Sequence, residues 1–134
     1  MEDDSPPGFI TIRTPPTVVE AGAFDVYEVA LELVRLVHLV IDASAARFHL
    51  KDQIDRATTL IALQIARAKH EVPSERWRSY RGVLATVTDI ATLLDVLDKQ
   101  QVTTKPGDLS AARYVAQRLL VELSPLASVR TTPV

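Results

Sequence analysis

The segment of residues 50–68, LKDQIDRATTLIALQIARA, decides the fold class of this chain. Its apolar residues recur every three or four positions and form one stripe: Leu50, Ile54, Ala57, Ile61 and Ile65. That spacing places the stripe along one side of a helix, with the charged side chains of the first two turns on the other side. The segment therefore predicts an amphipathic helix that packs into a helical bundle.

The composition fits a single all-α domain. A chain of 134 residues can bury a core without metal or disulfide staples. Its hydrophobic fraction of 47%, with only 4 glycines and 5% aromatics, favours packed helices over a sandwich or barrel. The lack of cysteine excludes disulfides, thiolate nucleophiles and Cys-based zinc sites, and it favours a cytoplasmic location.

No segment predicts a membrane span or a secretion signal. The longest apolar runs, LVRLVHLVI and TLIALQIA, are too short or too interrupted by Arg35 and His38 to cross a bilayer. The first residues, MEDDSPPG, are acidic and proline-rich, unlike a secretion signal. We therefore expect a soluble cytoplasmic protein with no membrane partner.

Four helical stretches predict an up-and-down antiparallel four-helix bundle over residues 23–127. Helix one is expected at 24–42 and helix two at 47–70. Ser74 is the expected N-cap of helix three, and Asp108 that of helix four, because both precede an apolar-periodic stretch. The connections are short, so consecutive helices should be antiparallel neighbours.

Residues 1–22 and 128–134 are expected to be tails. The first of these holds two proline pairs in a polar context, which predicts a flexible or extended segment. Residues 8–14, GFITIRT, alternate well enough to add as a strand to a partner protein or a neighbouring subunit. A loose tail is the interpretation that we favour.

Helix one carries more apolar surface than a monomeric bundle needs. Its core stripe is predicted to be Val26, Val29, Ala30, Leu33, Val37 and Val40. Four further residues widen that stripe and predict a homo-oligomer contact: Leu31, Val34, Leu36 and Leu39. The alternative is that helix one is the central helix of the bundle.

Motifs for catalysis, metals or cofactors do not stand out. The di-iron pattern Glu-x-x-His is missing, since the residues three before His38, His49 and His70 are not glutamates. No phosphate-binding glycine-rich loop or nucleophile elbow occurs. The three histidines are predicted to be surface or helix-end side chains. We therefore expect no enzyme activity, no metal and no cofactor.

Basic and aromatic residues bracket the turn between helices two and three. The basic ones are Arg67, Lys69, Arg76, Arg78 and Arg81, and Trp77 and Tyr80 lie among them. Such a mixture is able to bind phosphates and stack on bases, so the edge is a candidate nucleic-acid site. The net charge of −2 adds no overall attraction for nucleic acid. Equally, the basic residues offset a helix dipole and the two aromatics belong to the core stripe.

Three stretches together resemble a known family. They are residues 24–37, residues 50–66 and residues 88–100, and the most specific part is Gln-x-x-Arg-Ala before an aliphatic run, here from Gln53. The order resembles the four-helix-bundle family of proteins encoded in 23S rRNA intervening sequences. This resemblance implies an up-and-down bundle, often a ring-like homo-oligomer and commonly a pentamer, without established catalysis. Accessory proteins of diversity-generating retroelements are similar in architecture, and they bind nucleic acid and a reverse transcriptase.

The chain departs from the family pattern directly after the aliphatic run. Where members usually have Asn-Ile-Ala-Glu-Gly, residues 64–68 are Gln-Ile-Ala-Arg-Ala, so the acidic residue and the glycine are missing. The polar positions that remain predict an interhelical network that fixes the register of the helices: Gln53, Arg56, Gln64 and Asp89. We therefore expect a scaffold or adaptor, with nucleic-acid binding as the alternative.

Overall fold

Four helices make up the part of the chain that the structure describes. The computed structural model describes residues 21–128, with side chains from residue 26 onward. The helices are α1 (Ala21–Asp42), α2 (Phe48–Lys69), α3 (Pro73–Gln100) and α4 (Pro106–Leu126). Each packs against its neighbours along the chain, and α4 also packs on α1, so the four helices close around one core. The predicted all-α four-helix bundle is confirmed.

Backbone hydrogen bonds join two loops at one end of the bundle. The N–H of Ala45 donates to the carbonyl of Val102 at 2.9 Å, and the N–H of Thr104 donates to the carbonyl of Ala43 at 2.9 Å. These bonds hold the α1–α2 loop against the α3–α4 loop, at what we call the loop end. The α2–α3 turn lies at the opposite end, the turn end, together with the start of α1 and the end of α4.

One aliphatic stripe from each helix fills the core. The six residues predicted for the stripe of α1 are all buried. Leu36 is buried as well, with 4% of its surface exposed. The prediction that Leu36 belongs to an oligomer surface is therefore wrong, because it lies three residues from Leu33 and four from Val40 and so shares their face of the helix.

Helices α3 and α4 begin at prolines. Pro73 and Pro106 occupy the first helical turn, and no side-chain hydrogen bond caps either helix. The predicted caps Ser74 and Asp108 are wrong, since the fixed φ and missing N–H of proline suit the first helical position. Asp108 lies in the first turn of α4 instead, where its carboxylate complements the helix dipole.

The described residues include only small parts of the predicted tails. Helix α1 begins at Ala21, two residues before the predicted start of the bundle. Residues 1–20 and 129–134, and with them the predicted strand-like stretch 8–14, lie outside the described part of the chain. Among the described residues, no helix combines the length and the apolar character needed to cross a membrane.

We predict that Leu119→Ala destabilises the bundle and that Val121→Ala, two residues away, does not. Leu119 is 0% exposed and Val121 is 69% exposed. Truncating the buried leucine leaves a cavity and should lower the free energy of unfolding by about 3 kcal/mol, whereas the exposed change should stay within about 0.5 kcal/mol. Urea unfolding followed by circular dichroism measures both, and equal losses would contradict the placement of α4.

Candidate functional site

The turn end divides the predicted basic edge instead of keeping it together. The Nζ atom of Lys69 lies 5.2 Å from the ring centroid of Tyr27 on α1. Arg67 is exposed near the end of α2. Both residues complement the negative end of the α2 dipole. The three arginines of α3 form a separate group.

Two of these arginines flank the ring of Trp77. The guanidinium carbons of Arg78 and Arg81 lie 5.4 and 5.5 Å from the ring centroid, within the range of a cation–π contact. Arg78 also approaches Glu75, with 3.4 Å between Nη1 and Oε1. Trp77 is half-buried, so the ring is partly accessible between the two cations. We call Trp77, Arg78 and Arg81 the Trp77 cluster.

The third arginine, Arg76, is directed toward the turn. Its Nη2 donates to the carbonyl of Glu71 at 2.9 Å, which ties the first turn of α3 to the end of the α2–α3 connection. Its Nε is buried and has no hydrogen-bond partner. A buried N–H without an acceptor is costly, so Arg76 would gain a hydrogen bond if a small shift of its side chain let an oxygen reach this atom.

A groove lies beside the Trp77 cluster, between the start of α3 and the end of α4. It has a volume of about 500 Å³. The residues that line it are Pro73, Ser74, Arg76, Trp77, Tyr80, Pro125, Leu126 and Ser128. We call it the end groove. Burial raises the pKa of Tyr80 above its ordinary value of 10.0, and the charge of Arg76 acts in the opposite direction. Its lining is therefore mainly aromatic and apolar, with one cationic side chain.

Sequence reasoning found the α3 side of this groove and missed the α4 side. Pro125 lies inside α4, which continues to Leu126, and the local sequence does not place it beside α3. The antiparallel order of α3 and α4 brings Pro125 and Trp77 to the same groove. Only the tertiary pairing of the helices reveals this arrangement.

The predicted oligomer surface on α1 is interrupted. Leu31 and Leu39 are each 39% exposed, and Val34 is partly buried. Arg35 lies midway between the two exposed leucines along the helix and pairs with Glu32, with 2.6 Å between Nη2 and Oε2. A charged pair therefore separates the leucines, which weakens α1 as an apolar contact surface.

The four predicted polar positions do not form the expected interhelical network. Gln53 and Asp89 are exposed, and Arg56 pairs within α2 with Asp52 at 2.9 Å. No hydrogen bond in residues 21–128 joins any two of the four. Gln64 alone lies between helices, and its buried Oε1 has no hydrogen-bond partner. The other three point outward, where water competes for their hydrogen bonds.

A surface that the sequence reasoning missed lies where α2 and α3 pack side by side. Residues 57–66 of α2 and residues 82–88 of α3 contain no charged side chain. The two stretches are adjacent, because the Nε2 of Gln64 lies 4.0 Å from the position that a Cβ would take at Gly82. The exposed residues of the two stretches are Thr59, Leu60, Leu63, Gly82, Ala85 and Thr88. We call the surface formed by Leu60, Leu63, Gly82 and Ala85 the α2–α3 belt. The absence of charge in residues 57–66 and 82–88 was the feature of the sequence that could have revealed this surface.

The histidines lie where the sequence predicted them. His38, His49 and His70 are all exposed. Within residues 21–128, no group of three or more histidine, aspartate or glutamate side chains is close enough to hold a metal ion.

Comparison with known proteins adds no relative. No protein-family model and no curated protein sequence matches this chain. The resemblance to the intervening-sequence family therefore stays a prediction from the sequence order.

We predict that Tyr80 makes the bundle less stable at alkaline pH. The pKa of Tyr80 is raised in the folded state, so the unfolded chain releases this proton first as the pH rises. The free energy of unfolding should be unaffected by Tyr80 below about pH 10 and should fall above it.

Urea unfolding of Tyr80→Phe between pH 9 and 11 tests this, since the variant should show a shallower fall. An unchanged slope in Tyr80→Phe would show that the burial of Tyr80 has no effect on alkaline stability.

Proposed function

We propose that this protein is a non-enzymatic, self-associating helical bundle that acts as a scaffold or adaptor in the cytoplasm. The α2–α3 belt is the observation that supports this best. Leu60 and Leu63 are 39% and 50% exposed on a surface that has no charge over nearly three turns of α2. Adjoining exposed apolar side chains without a charge between them are typical of protein contact surfaces.

The belt also has the composition of an interface core. Leu60 precedes Gln64 by one turn on the same side of α2, so Leu60 faces the α3 side of the groove between these helices. Gly82 and Ala85 are small and exposed there, which lets another helix approach closely. Charged residues of α2 lie on both sides of the belt, at Asp55 and Arg56 before it and Arg67 after it. An apolar centre with a charged border is typical of protein contact surfaces.

The expected partner on this belt is another copy of the same chain. The resemblance to the intervening-sequence family implies ring-like homo-oligomers and favours a pentamer. An uncharged surface suits such contacts, because a second copy brings no charge that must lose water at the centre of the interface. The scaffold role would then come from repeated copies of the other surfaces.

We predict that Leu60→Lys combined with Leu63→Lys dissociates the oligomer. Two ammonium groups at the centre of an apolar contact should weaken association by about a hundredfold or more. Light scattering after size exclusion measures this. The unchanged chain should give a fixed multiple of its 14.8 kDa mass, and the variant should give the mass of one chain.

The matched control is Val121→Lys, which adds a charge at an exposed apolar residue of α4 and should leave the oligomer mass unchanged. Leu31→Lys with Leu39→Lys tests the α1 surface in the same assay. If the α1 pair dissociates the oligomer and the α2 pair does not, the protein self-associates through α1 and not through the α2–α3 belt. A monomeric unchanged chain at micromolar concentration would disprove self-association itself.

The Trp77 cluster supports a second candidate function, the binding of nucleic acid. Two guanidinium groups beside a partly accessible indole ring combine phosphate contacts with a stacking surface. Arg67 and Lys69 add positive charge at the same end of the bundle. Glu75 reduces this effect, because it pairs with Arg78.

We predict that Arg78→Ala with Arg81→Ala lowers the affinity for a short single-stranded RNA or DNA and also lowers its dependence on salt. Each phosphate contact contributes roughly one unit to the slope of log affinity against log salt, so two lost contacts should reduce that slope by roughly two. Fluorescence anisotropy measures both quantities. Arg47→Ala with Lys105→Ala removes the same charge at the loop end and is the matched control. Equal binding by all three proteins would exclude the Trp77 cluster.

A further inference from the structure

The end groove has three properties of a docking site for an extended, proline-containing peptide. Its walls present Trp77, Tyr80 and two prolines, and aromatic-lined grooves of this kind accept proline rings at low entropic cost. The Nε of Arg76 is buried without an acceptor. Arg78 and Arg81 place two positive charges beside the same ring. An acidic peptide with prolines would satisfy all three.

We infer that residues 2–7 of this chain, Glu-Asp-Asp-Ser-Pro-Pro, dock in the end groove of the same molecule. They supply three carboxylates for the arginines and a proline pair for the aromatic rings. A backbone carbonyl or carboxylate of the segment accepts from Arg76. The segment therefore matches the groove in charge and in shape.

The other segment outside the described residues fits less well. Residues 129–134, Val-Arg-Thr-Thr-Pro-Val, directly follow Ser128, which itself borders the groove. They carry no acidic residue, and Arg130 would add a positive charge to a groove that is lined by Arg76 and lies beside Arg78 and Arg81. Like charges at this spacing oppose docking. The acidic segment is thus the favoured occupant.

The chain length between the docking segment and the bundle is sufficient. Helix α1 starts at the turn end, which is also the end that holds the groove. Residues 8–20 connect the segment to Ala21 and extend to about 45 Å at most. Neighbouring helix axes are about 10 Å apart, so even a diagonal path across the end of the bundle is about 15 Å. Docking within one molecule is therefore allowed without strain.

The experiment uses the single tryptophan of the chain and its lack of cysteine. Bimane is attached to a Ser5→Cys variant, since Trp77 quenches bimane emission on contact. The effective concentration of a segment tethered at this length is in the millimolar range, so emission should be about half or less of that in a Trp77→Phe background. Circular dichroism confirms that both proteins are folded.

Two controls make the result specific. Bimane at Thr17→Cys, outside the docking segment, should emit equally in both backgrounds. Reversing the three carboxylates with Glu2→Lys, Asp3→Lys and Asp4→Lys should weaken docking by about tenfold and restore emission of the Ser5→Cys label.

Two outcomes overturn the inference. The first is equal emission of the Ser5→Cys label with Trp77 and with Trp77→Phe. The second comes from mixing labelled Ser5→Cys/Trp77→Phe protein with an excess of the unlabelled, unchanged chain. Quenching in that mixture as strong as in the Ser5→Cys protein that keeps Trp77 shows that the segment occupies the groove of a neighbouring copy instead of its own.

Discussion

Burial of one aliphatic stripe from each helix is the interaction on which the rest of the structure depends. Each stripe has a fully buried residue at its centre, and these are Leu33, Ile61, Leu94 and Leu119. Burying such a side chain contributes about 1.5–3 kcal/mol. The buried stripe also fixes how each helix is rotated about its axis, because the residues of the stripe must face the core. Every outward side chain is therefore placed by the core, including Leu63 on the side of the bundle and Trp77 at its end.

The spacing of apolar residues made most of the helical bundle predictable from the sequence. The spacing in residues 50–68 gave α2 correctly, and the breaks at Pro73 and near Pro106 separated the remaining helices. The helix starts were less predictable. A polar residue that follows a proline, such as Ser74 or Asp108, fits two positions equally well: the N-cap and the first helical turn. In both helices the proline is the first helical residue, since its fixed φ already suits that position.

The surfaces were less predictable than the fold, because exposure depends on small rotations of a helix. Leu31 and Leu36 look alike in the sequence, yet Leu31 is 39% exposed and Leu36 is 4% exposed. Helix α1 is apolar around most of its circumference, so its sequence alone does not say which leucines face a neighbour. The basic residues show the same effect. Lys69 and Arg81 bracket one short turn, but α2 and α3 direct them to opposite sides, toward Tyr27 and Trp77.

The belt and the end groove lie on different parts of the bundle, so a contact through the belt would leave the groove open. The belt runs along the side of α2 and α3, whereas the groove opens at the turn end. In a cyclic assembly built through the belt, with bundle axes parallel to the ring axis, every turn end lies on the same rim. Each rim then displays several identical Trp77 clusters at fixed spacing. Weak contacts at each cluster act together on one extended partner, and avidity strengthens such binding by about 10² to 10⁴ without a new contact. Repetition of one modest surface would in this way give a small bundle a specific function.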